Sequence, residues 1–469
     1  GLGYIAAVLE RAGIEVRIVD CLVAGWERRV PVRPGIFRIG LSFDEIAKII
    51  GDFQPDMVGA NILFTTQREN GHEIFRLAKK ADSRVVCVAG GAHPTVMPEL
   101  VLKDENVDYV VLGEGEQTIL DLVACLDGAR ELAALDGIAY KDKGLIKVIP
   151  KTRFIEDLDS LPFPARHLMD LKSYFGLKSS HGARAKNRFS PIITSRGCPA
   201  KCTFCSAHQV WGRRFRPRSP ENIIAEMVHL KEEYGIEEIM LEDDNANLNP
   251  ARAERLFDLM VEKRLDFVWD TPNGVSAWAL TERVLDKMKR SGCRKVNLAL
   301  ETGNQHVMDH VIKKPVNLQK VKPLIAHARK IDLDVNIYLI LGLPGETMEQ
   351  MWDTFRLARE LGIYRPFISI ATPYPGSELH ETCLKNGYLS EDFSLDDLYI
   401  RSFPISTKDW TGEQVQRLFE QGQRYLLRAY MKDRPLEFLA KSFRYLLSNP
   451  PAAIFHRIME VAGSVLRRI

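Results

Sequence analysis

Residues Pro191–Cys205 read PIITSRGCPAKCTFC, a β-forming run that leads straight into three cysteines, Cys198, Cys202 and Cys205. Three thiols are too many for one disulfide and one too few for a closed tetrahedral zinc site. At the spacing Cys-x3-Cys-x2-Cys, soft thiolates wrap one face of an iron–sulfur cube, holding three irons and leaving the fourth open to a ligand. A zinc knuckle completed by His208 is the competing arrangement. The strand-to-loop context weighs against it, because it is that of a catalytic barrel loop and not of a small zinc module.

Downstream, strand-like runs recur with helical patterns between them: EEIMLE (237–242), LDFVWDT (265–271), KVNLALE (295–301), DVNIYLILG (334–342) and PFISIAT (366–372). With the run at 191–195 this predicts a partial (β/α)6 TIM-type barrel, whose chemistry sits at the C-terminal strand ends. Upstream, helical patterns (GYIAAVLERAG, FDEIAKIIGDF, NGHEIFRLAKKA, GEQTILDLVACL) alternate with strand patterns (IEVRIVD, DMVGAN, RVVCVAGG, VDYVVLG). The expected fold there is a doubly wound, Rossmann-like α/β domain. Its first strand is expected to be missing and the N-terminus truncated, because the chain opens on a glycine-containing turn into a helix. The expected boundaries are a Rossmann-like domain over 1–130, a hairpin and proline-containing linker over 131–190, the barrel over 191–390 and a helical region over 391–469.

The chain has 469 residues, 64 Lys+Arg against 62 Asp+Glu, and a formal charge of +2. It therefore carries no polyelectrolyte footprint for nucleic acid. Its longest apolar runs fall short of the roughly 20 residues that span a bilayer. Cys21, Cys87, Cys125, Cys293 and Cys383 are scattered, which points to a reducing, cytoplasmic compartment and not a disulfide framework. From Arg428 to Ile469 there are eight Lys/Arg against three Asp/Glu, interleaved with Phe, Tyr, Leu and Ile. That end reads as a helical cap on the barrel, or as a peripheral contact with a membrane surface or a lipid-like substrate.

The cysteine spacing, with Phe204 before the third cysteine, resembles the radical S-adenosylmethionine (SAM) enzymes. The resemblance implies a [4Fe–4S] cluster on Cys198, Cys202 and Cys205, SAM chelated at the open iron, its cleavage to a 5′-deoxyadenosyl radical, and an external electron donor of the flavodoxin or ferredoxin type. It further implies SAM contacts at the strand ends: Asp243 and Asp244 in LEDDNAN, Glu301 in LALETGN, and Gly342 with Pro344 and Gly345 in LGLPGET. Any one of Asp243, Asp244 and Glu301 alone could be a solvated cap or a helix N-terminal acid, and their joint position at consecutive strand ends is what favours the cofactor role. Arg213, Arg214, Arg216 and Arg218 in WGRRFRPRS either grip an anionic group or form a solvated loop.

The N-terminal domain resembles the cobalamin-binding module that precedes the barrel in one radical SAM subfamily. The loops that would carry the corrinoid are ANILFTTQ with Asn61, Thr65 and Thr66, AGGAHPTVMPE with Gly90, Gly91 and His93, and LGEGEQT with Gly113 and Glu114. The Asp-x-His-x-x-Gly loop of better-known modules is not present, so His93 is expected to be a hydrogen-bonding or turn residue and not a cobalt ligand. GLGYIAA with Asp20 keeps a weaker dinucleotide reading open. The expected function is cobalamin-dependent methylation of a carbon on a small-molecule or lipid-like substrate. The alternatives are a ring-forming or oxidative enzyme like the anaerobic magnesium-protoporphyrin ester cyclase, a tRNA methylthiotransferase-like enzyme, or a non-catalytic cobalamin-binding module.

Overall fold

The computed structural model describes residues 1–177, 184–399 and 402–448; residues 449–469 of the expected C-terminal helical region, and residues 178–183 and 400–401, lie outside the described residues. Two sheets organise the chain. The first contains β1 (Met57–Asn61), β2 (Val86–Gly90), β3 (Tyr109–Val111), β4 (Ile138–Asp142) and β5 (Leu145–Ile149) in that order. β1, β2 and β3 are parallel, and the β4–β5 hairpin adds antiparallel to β3. The hairpin expected to begin the linker thus belongs to the N-terminal sheet, because Ile138, Ala139 and Tyr140 bury against β3 and a neighbouring helix. Helix α1 (Leu2–Arg11), the short helix α2 (Ala92–Val96) and α3 (Gly115–Leu126) flank this sheet. The segment IEVRIVD, expected as a strand, pairs with no strand among the described residues. Its alternation is real, but Val16 and Ile18 pack with Ala6, Ala7 and Ala165 instead of entering a sheet.

The second sheet has six parallel strands in sequential order: β6 (Phe189–Ile192), β7 (Glu238–Leu241), β8 (Val268–Asp270), β9 (Cys293–Glu301), β10 (Asp334–Leu341) and β11 (Phe367–Ile370). β6 and β11 are its free edges, which makes it a curled half-barrel of the expected (β/α)6 type. Helix starts follow local chemistry. Ser219 and Asn249 cap helices that begin with proline, and Thr347 and Gln350 form a capping box at the start of the helix Met348–Glu360. The core is built mainly from apolar side chains, with Ile239, Trp269, Leu298, Ile337 and Phe355 buried. Trp269 stacks on Phe257 at 4.9 Å and donates its indole N–H to the Ser291 carbonyl at 3.0 Å, so its one polar atom is satisfied.

Three further helices matter below: α4 (Ala207–Trp211), which leaves the cysteine loop, α5 (Met348–Glu360), and α6 (Gly412–Asp433), which runs along α5. Helix α7 (Pro435–Ser448) follows α6. Among the described residues no helix is long and apolar enough to cross a membrane.

Candidate functional site

The cysteine loop begins where β6 ends and is fastened on both sides. Ser195 and Arg196 pair antiparallel with Arg216 and Pro217, and the Cys198 amide donates to the Gly212 carbonyl at 3.3 Å. Gly197 turns the chain with φ +86, and a side chain there would overlap the Arg214 carbonyl. Inside the loop, Thr203 donates from its amide to the Ile312 carbonyl (3.1 Å) and from its hydroxyl to the Val311 carbonyl (2.9 Å). Its own carbonyl accepts from Leu379 at 2.8 Å. Phe204 is half-buried against the barrel core. One threonine therefore joins the loop to a π-helical turn after β9 (Val307–Ile312) and to the helix Glu378–Asn386.

The three thiols share one electrostatic neighbourhood with Asp244, Glu301 and Lys314. Burial pushes the Cys202 thiol up to about 12 and the Cys205 thiol up to about 11, so free thiolates there are costly. Iron cations remove that cost, and the donor set is soft thiolate, which fits an iron–sulfur cluster. Among the described residues no three of His, Cys, Asp or Glu close around a single ion.

Of the strand-end acids, Asp243 and Asp244 have opposite fates. Asp243 is buried and accepts four hydrogen bonds, from the amides and hydroxyls of Thr194 and Ser195. It latches the end of β6 from behind and has little capacity left for a ligand. Asp244 is exposed at the strand end within electrostatic range of Cys205, and partial desolvation with the neighbouring Asp243 pushes its carboxyl up to about 6. Glu301 sits in the left-handed region with φ 60 and pairs with Lys314 at 2.5 Å. Lys314 also donates to the Ala299 carbonyl at 2.8 Å. Burial alone would lower Lys314, but Glu301 and the thiols of Cys202 and Cys205 outweigh it and raise its pKa, so the lysine stays charged. Gly342, with φ +82, lies under Val415 and Trp410 of the C-terminal region, where α6 roofs the end of β10.

At the C-terminal ends of β1, β2 and β3 the residues expected to meet a corrinoid come together. Leu63 and Phe64 are exposed there, and His93 is buried with Nδ1 3.2 Å from the Thr65 hydroxyl and Nε2 without a partner. Burial, then the charge of Arg68, lowers His93 to about 4, so it is a neutral hydrogen-bonding group. Gly91 has φ +103, and a Cβ on it would collide with the Asn61 side chain and lie 2.8 Å from the Ile62 carbonyl. An apolar platform, an orphaned buried nitrogen and a side-chain-free approach fit a large planar cofactor with a polar tail. Thr66 is half-buried beside Thr65, and Gly90 has open space around it.

Glu114 has a different role from the one expected. Its carboxylate, 1% exposed, accepts from Arg216 at 2.7 and 2.9 Å, from Arg196 at 3.2 Å and from the Ile155 amide at 2.9 Å. Those bonds use its acceptor capacity, so it ties the N-terminal sheet to the cysteine loop and has none left for a cofactor. Gly113 is part of the same junction, its amide donating to the Thr95 hydroxyl at 2.9 Å. Of the four arginines in WGRRFRPRS, Arg216 and Arg218 are buried on Glu114 and Glu226, while Arg213 and Arg214 are exposed. Helix α2 packs against α4, which brings the C-terminal ends of the two sheets together beside the cysteine loop. Sequence reasoning missed Lys314, Arg196, Leu63 and Phe64. Lys314 looks like half of a surface pair in KKP, and only the fold shows it buried.

Comparison with known proteins agrees with this geometry. The Radical SAM superfamily model matches residues 192–358, and the B12 binding domain model matches residues 1–123. The chain is 35% identical over 449 residues to a cytidylyl-2-hydroxyethylphosphonate methyltransferase of Streptomyces wedmorensis, covering 89% of this chain and 84% of that one. It is 26% identical to an anaerobic magnesium-protoporphyrin IX monomethyl ester cyclase of Rubrivivax gelatinosus, covering 87% and 72%. In fold it resembles the radical SAM methyltransferase TsrM of Kitasatospora setae, with a TM-score of 0.70 at 16% identity over 91% of this chain and 85% of that one.

Proposed function

The chain belongs to the radical SAM enzymes that carry a B12-binding domain, and on that premise we propose that it transfers a methyl group to a carbon of a small-molecule substrate. Its cofactors are a [4Fe–4S] cluster, SAM and cobalamin. When bound, they supply one-electron cleavage of SAM and a carrier for the methyl group. The observation that carries the reading is the α2–α4 contact, which sets the candidate cobalamin loops against the loop of Cys198, Cys202 and Cys205.

In this reading the three cysteines hold the cluster, and the chain's other residues position and shield. Asp244, exposed at the strand end, offers a carboxylate to an ammonium group such as that of SAM. Lys314, fixed by Glu301 and the Ala299 carbonyl, keeps a positive charge beside the thiolates. Asn61, Thr65, Thr66, Gly90, Gly91 and His93 line the corrinoid approach. Phe204 and the apolar barrel core wall off water on the opposite side. An external one-electron donor is required by the balance of reductive SAM cleavage.

The test is anaerobic turnover with candidate substrates followed by product mass: a gain of one CH2 supports methylation. Loss of hydrogen with ring closure would replace it by the second reading, cyclase-like oxidation, which the similarity to the Rubrivivax gelatinosus enzyme favours.

Gly91→Ala separates cobalamin binding from the rest. The added methyl meets Asn61 and the Ile62 carbonyl in a backbone conformation that disfavours a side chain, a cost of about 1–3 kcal/mol. Hydroxocobalamin affinity, followed by absorbance titration, is expected to fall at least about tenfold, while the cluster spectrum after reconstitution is unchanged. Unaltered affinity would remove Gly91 from the corrinoid approach.

A further inference from the structure

Burying an ammonium group costs free energy that a surface lysine does not lose. The Lys314 side chain is nonetheless only 9% exposed, just past the π-helical turn Val307–Ile312. That turn also carries the Val311 and Ile312 carbonyls to which Thr203 donates, and Thr203 stands between Cys202 and Cys205. Cation and thiols are thus fixed to one piece of backbone. The Lys314 amide is tied as well, donating to the Met308 carbonyl at 3.2 Å. Its ammonium donates to the Glu301 carboxylate at 2.5 Å and the Ala299 carbonyl at 2.8 Å, and lies 5.8 Å over the Trp278 ring. Glu301 is itself held in the left-handed region, with φ 60, a conformation that persists in a non-glycine residue only where the surroundings impose it.

The pair acts on the thiols with its positive end. Burial raises the Cys202 thiol most; the next influence is Lys314, which lowers it, ahead of Glu301, which raises it. On Cys205, again raised first by burial, Lys314 also acts to lower the pKa. A buried ion pair adds little net stability over apolar side chains of the same volume. Stability alone therefore does not account for a lysine and a glutamate in this place.

We propose that Lys314, held in place by Glu301, sets the reduction potential of the iron–sulfur cluster, a role that presupposes Cys198, Cys202 and Cys205 as its ligands. Uptake of one electron from the external donor leaves the cube and its three thiolates one charge more negative, with no bond formed or broken and no proton transferred. A fixed cation nearby stabilises that added charge, and burial keeps its field from being screened by water. Net charge and solvent exposure are levers by which a protein moves such a potential. Lys314 therefore makes the cluster easier to reduce. Glu301 holds the ammonium where it acts and offsets part of its field. One unit charge at about 12 Å, with an effective dielectric constant of about 20, moves a one-electron equilibrium about tenfold.

The experiment is a redox titration of the anaerobically reconstituted full chain, without SAM or cobalamin, followed by electron paramagnetic resonance. Lys314→Met is expected to make reduction at least about tenfold less favourable, a shift of about 59 mV to more negative potential. Glu301→Gln removes the carboxylate and leaves the ammonium, so its potential is expected to move the opposite way. Lys314→Met combined with Glu301→Gln leaves no unpaired buried charge and should fall below the parent by less than Lys314→Met alone. Circular dichroism and iron content show that each variant is folded and loaded. A merely structural pair would shift every variant in one direction, by admitting water to the cysteine loop, and that result overturns the proposal. So does a potential unchanged in the single variants. If Lys314→Met takes up no cluster, the signs of Glu301→Gln and the double variant decide in the same way. A parent chain that assembles no [4Fe–4S] cluster overturns the ligand role of the three cysteines, and the role of Lys314 with it.

Discussion

Cys202→Ala, and equally Cys198→Ala or Cys205→Ala, is expected to bring 5′-deoxyadenosine formation down to background in anaerobic assays with a strong reductant. In the proposed reading each cysteine supplies one of three thiolates, and a cube held by two protein ligands would be exposed to solvent and lose iron. The neighbouring groups cannot substitute: Asp244 and Glu301 are hard carboxylates, and Glu301 is already paired with Lys314 at 2.5 Å. The thiol side chain is small and the loop is held by Thr203 and the Gly212 carbonyl, so the fold should lose only about 1 kcal/mol. Loss of chemistry with a nearly unchanged melting temperature is therefore the expected pair of results. Iron content and the visible spectrum after reconstitution give a readout that does not depend on turnover. SAM cleavage retained by any one of the three variants would remove that cysteine from the ligand set.

What could be read from the sequence was what depends on local pattern. The period-two and period-3.6 runs located the six barrel strands to within a few residues, and FDEIAKIIGDF matches the helix Phe43–Phe53 residue for residue. The cysteine triplet was legible because its meaning lies in spacing alone. What failed was information held in tertiary contacts. IEVRIVD has a strand's alternation but no partner strand among the described residues, so its apolar residues serve a helix-packing cluster. The hairpin 138–149 pairs with a strand nearly thirty residues earlier, which no local pattern reveals. Glu114 and Asp243 stand at strand ends, where ligand-facing residues are expected. Yet strand ends also carry the polar groups that lock loops, and only hydrogen-bond partners tell the two apart. Lys314 shows the reverse case, a residue that looks solvated in sequence and is buried beside the thiols.

Glu114→Ala is expected to be among the most destabilising single changes in the chain. It removes the carboxylate shared by two buried guanidiniums, Arg196 (3% exposed) and Arg216 (2% exposed). Arg196 keeps Glu116 at 2.6 Å and Arg216 keeps the Ile155 and Trp211 carbonyls at 2.7 Å, but one buried positive charge is left uncompensated. Breaking a buried pair in this way costs about 3–5 kcal/mol. Glu114→Gln retains acceptors and shape, and its loss should be smaller. Because Arg196 stands two residues before Cys198 and pairs antiparallel with Arg216, the damage should reach the cysteine loop. Differential scanning calorimetry is expected to show the Ala variant melting well below the parent, with reconstituted iron reduced as well, and the Gln variant between them. The same network sets an acid limit. Burial would raise Glu116, but Arg196 outweighs it and holds the carboxyl below its ordinary range. A carboxylate with a lowered folded-state pKa contributes fully above its unfolded value, and the contribution is lost as pH falls through the lowered value. Stability should therefore fall on acidification below the ordinary carboxylate range. If Glu114→Ala melts with the parent and binds iron normally, the junction is not held by this carboxylate, and the contact between the two sheets rests on other groups, the packing of α2 on α4 among them.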